Sequence, residues 1–360
     1  MYPVRGIGIQ AADKINPDVF ANGCCEKGWK GEKQMAKASY VVGYDVGGTK
    51  LGIGLVSKDG KLAGSARIPN KDTHPEDVLP ETIRITRELV EKAGLQMSDL
   101  AAFGVSGPFP ADPVNGIMTA PPNNPFWRNV PIRKYYEDHL GIPGTFENDA
   151  NCGALADWFF GAGKGCQDFI YLTMSTGIGG GIIAAGKLVR GRGGCAGEIG
   201  HTVVRPDGRY CSCGLRGCYE AYCGGRAVAM HLQAELRKMP DNLMTRMVNG
   251  KLEDIDMLVF EKAVRAGDPF AVEQWDEMCQ MNAQMFGRLI NTFNPERLVL
   301  GTFAWAIGDL FMEPVRKYLP KYAWKDMLQL CEIVPSELKR EISSYAGAAA
   351  ALNFLKERNL

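Results

Sequence analysis

The most regular pattern in the chain is a pair of apolar stretches on either side of a two-glycine turn. Residues 41–46 and 51–56 are rich in β-forming side chains, and Gly47 and Gly48 stand between them. This arrangement predicts a β-hairpin whose tip carries no side chain to keep an anion from the backbone N–H groups. A second glycine-rich loop, also with threonine beside the glycines, follows at residues 173–181. The repetition favours a nucleotide phosphate held between two similar halves of the molecule.

Other apolar positions recur at helical or strand spacing along the chain. The apolar residues of 76–94 repeat with a helical period, whereas 100–106 form a continuous apolar run that predicts a buried strand. Further helices are predicted at 154–162, 226–238, 271–292 and 345–355, and a further strand at 298–301. Strands that alternate with helices indicate an α/β fold, and 360 residues suit two domains.

The first 39 residues lack this order. They mix Pro, Gly and Lys with the pair Cys24-Cys25, and they contain no apolar core long enough for a signal peptide. The regular pattern begins shortly after Met35. We therefore expect either that Met35 is the biological initiator or that residues 1–39 are a disordered extension.

Composition limits the possible partners and compartments. Lys and Arg together number 41, as do Asp and Glu, so there is no excess charge to attract nucleic acid or an anionic membrane. No apolar run reaches the roughly 18 residues needed to span a bilayer. Eleven cysteines in a chain of this size, several of them in a thiol metal motif, favour a reducing compartment. We expect a cytoplasmic protein with a neutral substrate.

One imidazole and three thiols lie within eighteen residues of each other in the sequence. They belong to His201, Cys211, Cys213 and Cys218. Zn²⁺ prefers these ligands in a closed tetrahedron, which leaves no position for water and indicates a structural ion. The ion would hold the flanking Glu198 and Glu220 in place, so both carboxylates and His201 are candidates for lining a pocket. The alternative is three reduced cysteines in a glycine-rich loop.

These motifs together resemble the ROK family of sugar kinases and repressors. The resemblance rests on Asp45-x-Gly-Gly-Thr-Lys, the loop at 177–181, Glu147-Asn148-Asp149-Ala-Asn151, and the Glu198 to Glu220 segment, and it extends over about residues 40–355. It implies an ATP-dependent enzyme with two actin/hexokinase-like (ribonuclease H-like) α/β domains and a cleft between them. The expected domains are residues 40–147 with 343–360, and residues 148–342 with the zinc loop. A homodimer is expected from the resemblance alone.

The resemblance also assigns candidate ligand contacts. Nucleotide and phosphate contacts are expected at Asp45, Gly47, Gly48, Thr49, Lys50, Thr176, Gly177, Gly179 and Gly301. Asp45, at the end of the first strand, is the candidate for holding the Mg²⁺ of ATP through water. Sugar contacts are expected at Asn123, Asn148, Glu198, His201 and Glu220. Asn123 stands four residues before Trp127 between prolines, and an ordinary turn asparagine is its alternative reading.

A kinase of this kind needs one general base, because a sugar hydroxyl is a poor nucleophile at neutral pH. Asp149 follows a predicted strand and begins a predicted helix, which makes it our candidate for the catalytic residue. Its alternative role is a helix cap. His201 is expected to use one ring nitrogen for zinc and the other for a sugar hydroxyl.

One segment departs from the family pattern. The family has a run of glycines after its late strand, whereas this chain continues from Gly301 into Thr302-Phe303-Ala304-Trp305. Phe303 or Trp305 is a candidate for stacking on adenine. A pocket for another donor such as polyphosphate and a purely packing role are the alternatives.

Three function classes follow from these observations. A kinase that phosphorylates a neutral hexose explains both phosphate loops, Asp149 and the metal motif. A sugar-responsive repressor needs a DNA-binding module of about 60 to 80 residues before the first loop, where about forty are present. A non-catalytic sugar sensor has no need of Asp149. Glucose is the expected substrate, with N-acetylmannosamine, N-acetylglucosamine or fructose as alternatives, because few loop residues separate these specificities.

Overall fold

The computed structural model describes residues 38–121 and 125–360. Its strands are β1 (Tyr40–Val46), β2 (Lys50–Ser57), β3 (Leu62–Pro69), β4 (Leu100–Gly107), β5 (Ala111–Asp112), β6 (Ile117–Met118), β7 (Gly144–Asn148), β8 (Phe169–Met174), β9 (Ile178–Ala184), β10 (Lys187–Leu188), β11 (Arg297–Leu300) and β12 (Glu332–Pro335). Its helices in the first half are α1 (Pro75–Lys92), α2 (Ile132–Leu140) and α3 (Asp149–Phe160). Those in the second half are α4 (Glu220–Cys223), α5 (Gly225–Leu236), α6 (Leu243–Met247), α7 (Met257–Arg265), α8 (Pro269–Phe293), α9 (Thr302–Ile307), α10 (Asp309–Tyr318), α11 (Lys325–Leu330) and α12 (Ile342–Glu357).

Two five-stranded sheets share one topology. The first has the order β3-β2-β1-β4-β7 and the second the order β10-β9-β8-β11-β12. In each sheet the first three strands in chain order form an antiparallel meander. The fourth strand then pairs parallel with the first, and the fifth pairs parallel with the fourth. The two glycine-rich loops are the first turns of these sheets, β1–β2 and β8–β9. The duplication predicted from the repeated loops is therefore present in the backbone.

The carboxyl ends of the parallel strands gather the polar candidates. Asp45 stands near the end of β1, Asn148 ends β7, and Asp149 begins α3 directly after it. In the second sheet, β8 leads into Ser175 and Thr176. In open α/β sheets the crevice beyond the carboxyl ends of the strands is where ligands bind.

The final helix joins the two halves through small residues. α12 packs on β1, β2, β4 and α3. At Gly43 and Gly104 a Cβ atom would come within 2.0 and 2.1 Å of the α12 backbone. The two backbones are therefore nearly in contact, and only glycine fits at the crossing. This explains the alanine-rich face of the sequence at 345–355.

The predicted elements are present, with small differences at their ends. The predicted helix at 154–162 begins earlier, at Asp149, because Asn148 caps it. Ala38, assigned from sequence to the extension, is 4% exposed and packs in the core beside β1. The expectations for residues 1–37, including Met35, and for Asn123 lie outside the described residues. In the described residues, no helix is both long and apolar enough to cross a membrane.

Candidate active site

Two cavities meet at the turn between β8 and β9. We call the smaller one, of ≈ 380 Å³, the Asp149 cavity. Its polar lining consists of Asn148, Asp149, Thr173, Ser175, Thr176, Glu198, His201 and Glu220. The larger one, of ≈ 970 Å³, is the Trp305 cavity, and Asp45, Lys50, Arg67, Arg226, Lys339 and Arg340 are among its lining residues. Ser175 and Thr176 line both cavities, so a ligand in each would meet at this turn.

Asp149 stands at the start of α3, and its side chain is open to the cavity that it lines. Its Oδ1 atom accepts a hydrogen bond from Ala150 N at 2.8 Å. Desolvation by the protein around the cavity raises the pKa of Asp149 to about 6, and the negative charges of Asp45 and Glu198 add to this effect. A carboxyl group with this pKa is mostly ionised at pH 7 and still a strong enough base to take a proton.

The helix cap in this segment is Asn148 rather than Asp149. Asn148 Oδ1 accepts from Ala150 N at 2.9 Å and from Asn151 N at 3.2 Å. The capping role that was the alternative for Asp149 is thus carried by its neighbour, whose side-chain oxygen is committed to the helix. Asn148 also lines the Asp149 cavity.

Asp45 is a second carboxylate of the site and is half-buried. Burial raises the pKa of Asp45 to about 6, although the hydrogen bond from Ser106 and the charge of Arg67 act in the opposite direction. Ser106 Oγ donates to Asp45 Oδ1 at 2.7 Å. A carboxylate oxygen is the donor that a hard cation such as Mg²⁺ prefers, and a nearby cation would favour the ionised form of Asp45.

Glu220 connects the cysteine-rich segment to the β8–β9 turn. Its Oε2 atom accepts from the backbone N–H of Ile178 at 2.8 Å. Two further backbone bonds follow, from Gly225 N to Ser175 O at 2.9 Å and from Arg226 N to Thr176 O at 3.0 Å. The start of α4 and α5 is therefore fastened along the turn that both cavities share. Gly177 fits here because a Cβ atom would stand 2.7 Å from Glu220 Oε2.

The four predicted metal ligands converge. His201, Cys211, Cys213 and Cys218 place one ligand atom each within 4.8 Å of one another. The distance between the sulfur atoms of Cys213 and Cys218 is 3.7 Å, and that from Cys211 Sγ to His201 Nδ1 is 3.6 Å. A tetrahedral ion with metal–sulfur bonds of about 2.3 Å places its sulfur ligands about 3.8 Å apart. The donor set and its spacing therefore fit a four-coordinate metal site.

Not every predicted phosphate contact lines a cavity. Lys50, Thr176, Gly177 and Gly179 line one or both cavities. The N–H of Gly47 is instead donated within its own hairpin, to Asp45 O at 3.2 Å and to Lys50 O at 3.1 Å. Gly48 and Thr49 share this tip without lining either cavity. Gly301 packs on β8, where a Cβ atom would come within 2.9 Å of the Tyr171 hydroxyl, and Thr302 takes its place in the cavity wall.

Phe109 is one of the cavity residues that the sequence did not single out. Pro108 and the half-buried Phe109 follow β4 and form a wall of the Asp149 cavity opposite the loop that carries Glu198. A Cβ atom at Gly194 in that loop would stand 3.7 Å from Phe109 Cζ. The abrupt end of a buried strand at Gly107-Pro108 was the available signal, and it indicates a loop at the cleft without indicating which side chain enters it.

The structure separates the two aromatic residues after β11. The ring of Phe303 packs against Trp275 and Phe311, with ring centres 5.8 and 4.9 Å apart, and so belongs largely to the core. Trp305 is half-buried in the wall of its cavity, and the guanidinium carbon of Arg340 lies 6.0 Å from its ring centre. Both residues line the larger cavity, and Trp305 presents its ring there beside Arg340.

Two α/β halves of identical strand order, with a cleft at the carboxyl ends of their strands, define the actin/hexokinase-like class of proteins. Within that class the chain belongs to the ROK family, whose model matches residues 41–353. The fold and family expected from the sequence are confirmed.

Similar proteins cover nearly the whole chain. A glucokinase from Thermotoga maritima is 34% identical over 321 residues, which is 88% of this chain and 98% of that protein. The crystal structure of a ROK hexokinase from Thermus thermophilus has a TM-score of 0.75 at 28% identity and covers 89% of this chain and 100% of its own. A ROK family glucokinase from Streptomyces griseus, in complex with glucose and AMPPNP, has a TM-score of 0.69 at 29% identity over 87% of this chain and 99% of its own.

Proposed function

We propose that this protein is a hexose kinase that transfers the γ-phosphoryl group of ATP to a hydroxyl of glucose, giving glucose 6-phosphate. The observation that carries the proposal is that Asp149, with a raised pKa, lines a sugar-sized cavity that joins a nucleotide-sized cavity at Thr176. The similarity to a protein named glucokinase and to a glucokinase complexed with glucose and AMPPNP supports glucose and ATP as the substrate pair.

In the proposed reaction Asp149 is the general base. Its Oδ1 atom is held by Ala150 N, so Oδ2 is the oxygen that takes the proton from the sugar hydroxyl. The hydroxyl oxygen forms a bond to the γ-phosphorus, and the bond from that phosphorus to the bridging oxygen of ADP breaks. Lys50 and the turn residues Ser175 to Gly177, which line one or both cavities, would surround the transferred group.

Two metal ions belong to the proposal. Asp45 would hold, through water, the Mg²⁺ that accompanies ATP, and that ion would offset phosphate charge. His201, Cys211, Cys213 and Cys218 would hold a structural Zn²⁺, which fixes the segment that ends at Glu220.

Sugar recognition is proposed for Asn148, Glu198, His201 and Glu220, all of which line the Asp149 cavity. Buried donors and acceptors discriminate between isomers because a wrong hydroxyl leaves one of them unpaired. His201 Nδ1 faces Cys211 in the metal cluster, which leaves the other ring nitrogen for the cavity side.

We retain as proposals the domains at 40–147 with 343–360 and at 148–342, a homodimer, and a cytoplasmic location.

The test is a coupled assay of the purified chain with MgATP and a panel of neutral hexoses, comparing wild type with Asp149→Asn. Wild type is expected to release ADP with glucose. The variant is expected to keep the sugar-induced rise in melting temperature and to lose at least about a hundredfold in kcat. An N-acetylhexosamine or fructose preferred over glucose would revise the substrate. An Asp149→Asn variant with normal turnover would leave the general-base assignment without support.

A further inference from the structure

Glu147 is a buried carboxylate that neither the phosphate loops nor the metal cluster uses. It stands one residue before Asn148 at the end of β7 and is 3% exposed. Its Oε1 atom accepts from Asn148 N at 3.0 Å and from Asn151 Nδ2 at 2.9 Å. Its Oε2 atom accepts from Arg190 Nε at 2.6 Å. Burial of a charged group this deep requires such a complete set of partners.

Arg190 comes from the other half of the molecule, just beyond the last residue of β10. It follows β10 and is the first residue of the loop that ends at Glu198. Its Nε atom donates to Glu147, and its Nη1 atom donates to Glu357 Oε1 of α12 at 2.7 Å. The ion pair therefore joins the strand that leads to Asp149 with the loop that leads to Glu198.

The loop from Arg190 to Glu198 is rich in glycine, so its sequence alone does not favour one backbone conformation. It contains four glycines between Arg190 and Glu198, and three of them, Gly191, Gly194 and Gly197, have φ of +66°, +76° and +97°. Glycine at such positions leaves many alternative backbone conformations open, so a defined loop needs fixed ends. The far end is fixed by the turn at Ile199–His201 beside the metal cluster. The near end is fixed by Arg190, whose carbonyl also accepts from Ala196 N at 3.0 Å.

We propose that Glu147 and Arg190 form a positioning pair that sets the distance between the general base Asp149 and the sugar-binding carboxylate Glu198. This proposal rests on the proposed kinase function. Neither residue touches substrate. Their effect is exerted through β7 on one side of the sugar and through the 190–198 loop on the other, so loss of the pair should impair the sugar side of the reaction and spare the nucleotide side.

The experiment measures kcat and the KM of both substrates for Arg190→Met, Arg190→Lys and Glu357→Gln. Arg190→Met should raise the KM of the sugar and lower kcat, each by about tenfold or more, because displacement of a reacting group by about 1 Å costs up to about a hundredfold in rate. The KM of ATP should stay within about twofold. Arg190→Lys keeps one charge for Glu147 and should fall between wild type and Arg190→Met. Glu357→Gln, which removes only the exposed contact of Arg190, should behave as wild type.

A second variant separates positioning from folding. In Arg190→Met the carboxylate of Glu147 is left buried without its counter-charge, which can unfold the protein. The double variant Glu147→Gln with Arg190→Met leaves no buried charge and should recover the melting temperature but not the KM of the sugar. Recovery of both, or equal increases in the KM of ATP and of the sugar, would show that the pair acts only on stability.

Failure of this proposal can be told apart from failure of the proposed function. A wild-type chain that phosphorylates no hexose would refute the function. A wild-type chain that is active, with Arg190→Met and the double variant within about twofold of it in kcat and in the KM of the sugar, would refute the positioning pair.

Discussion

The carboxylate of Glu220 accepts a hydrogen bond from the backbone N–H of Ile178, with 2.8 Å between Glu220 Oε2 and Ile178 N. These residues are 42 positions apart in the chain. Glu220 stands two residues after Cys218, and Ile178 begins β9 directly after the turn whose Ser175 and Thr176 line both cavities. The bond therefore connects the candidate metal site to the place where the phosphoryl group is proposed to move, and through it a bound metal would influence the proposed reaction indirectly.

Replacements of Glu220 should separate this connection from sugar binding. In Glu220→Gln the side-chain oxygen can still accept from Ile178, so the KM of ATP should stay within about twofold while the KM of the sugar rises about tenfold through the weaker acceptor. Glu220→Ala removes both roles and should raise both KM values. Steady-state kinetics with each substrate varied in turn would measure this, and equal effects of the two variants on ATP would contradict it.

The activity should have an acidic limb close to pH 6. Asp149 acts as a base only when ionised, and its pKa is raised to about 6 by desolvation, Asp45 and Glu198, so kcat/KM of the sugar should fall as the pH drops through that value. Asp45, with a pKa of about 6, titrates in the same range, so the limb belongs to both carboxyls. A profile that stays flat down to about pH 4 would be incompatible with this base.

The same pKa shift predicts that ionisation of Asp149 lowers the stability of the folded protein. The folded-state pKa of Asp149 lies above its ordinary value of 3.8, so its contribution to stability is fully present below pH 3.8 and is lost as the pH rises through about 6. The asparagine of Asp149→Asn has no charge to desolvate. The variant should therefore have a melting temperature a few degrees above that of wild type at pH 7.5, and a smaller difference at pH 4. Thermal denaturation of both proteins at the two pH values is the measurement.

Metal removal should affect the sugar side of the cleft. We expect about one Zn²⁺ per chain by elemental analysis, and chelation or Cys218→Ser should abolish it and lower the melting temperature. Because Glu198, His201 and Glu220 depend on this segment, the sugar-induced rise in melting temperature should also disappear. Cys331→Ser, at a buried cysteine outside the cluster, is the matched control. A metal-free protein that keeps its sugar response would contradict the prediction.

The two aromatic residues after β11 should behave differently. Trp305→Ala should raise the KM of ATP about tenfold and leave that of the sugar unchanged, because Trp305 faces the larger cavity. Phe303→Leu should mainly lower the melting temperature, since its ring packs on Trp275 and Phe311. Quenching of Trp305 fluorescence by ATP but not by inorganic polyphosphate would support a stacked base. An unchanged KM of ATP in Trp305→Ala would indicate that the base is not recognised there.

Local sequence patterns were sufficient for the elements, the duplicated loops and the metal ligands. The hairpin of residues 41–56, the helix near 76–94 and the spacing of His201, Cys211, Cys213 and Cys218 all involve residues close together in the chain. Their structure follows from turn chemistry, hydrophobic period and ligand spacing, which act over a few residues.

Relationships between distant segments required the folded chain. The pairing of Glu147 with Arg190, the bond from Ile178 to Glu220, and the entry of Phe109 into a cavity join residues of different elements. The raised pKa of Asp149 arises from desolvation by the surrounding protein and from the charges of Asp45 and Glu198 in other segments, and no pattern around residue 149 contains that information. Chain order alone thus specifies which groups are present and in what elements they stand. Packing of the two sheets and α12 sets which of those groups meet and how strongly they perturb one another, because electrostatic and hydrogen-bond energies depend on distance and solvent exposure rather than on position along the chain.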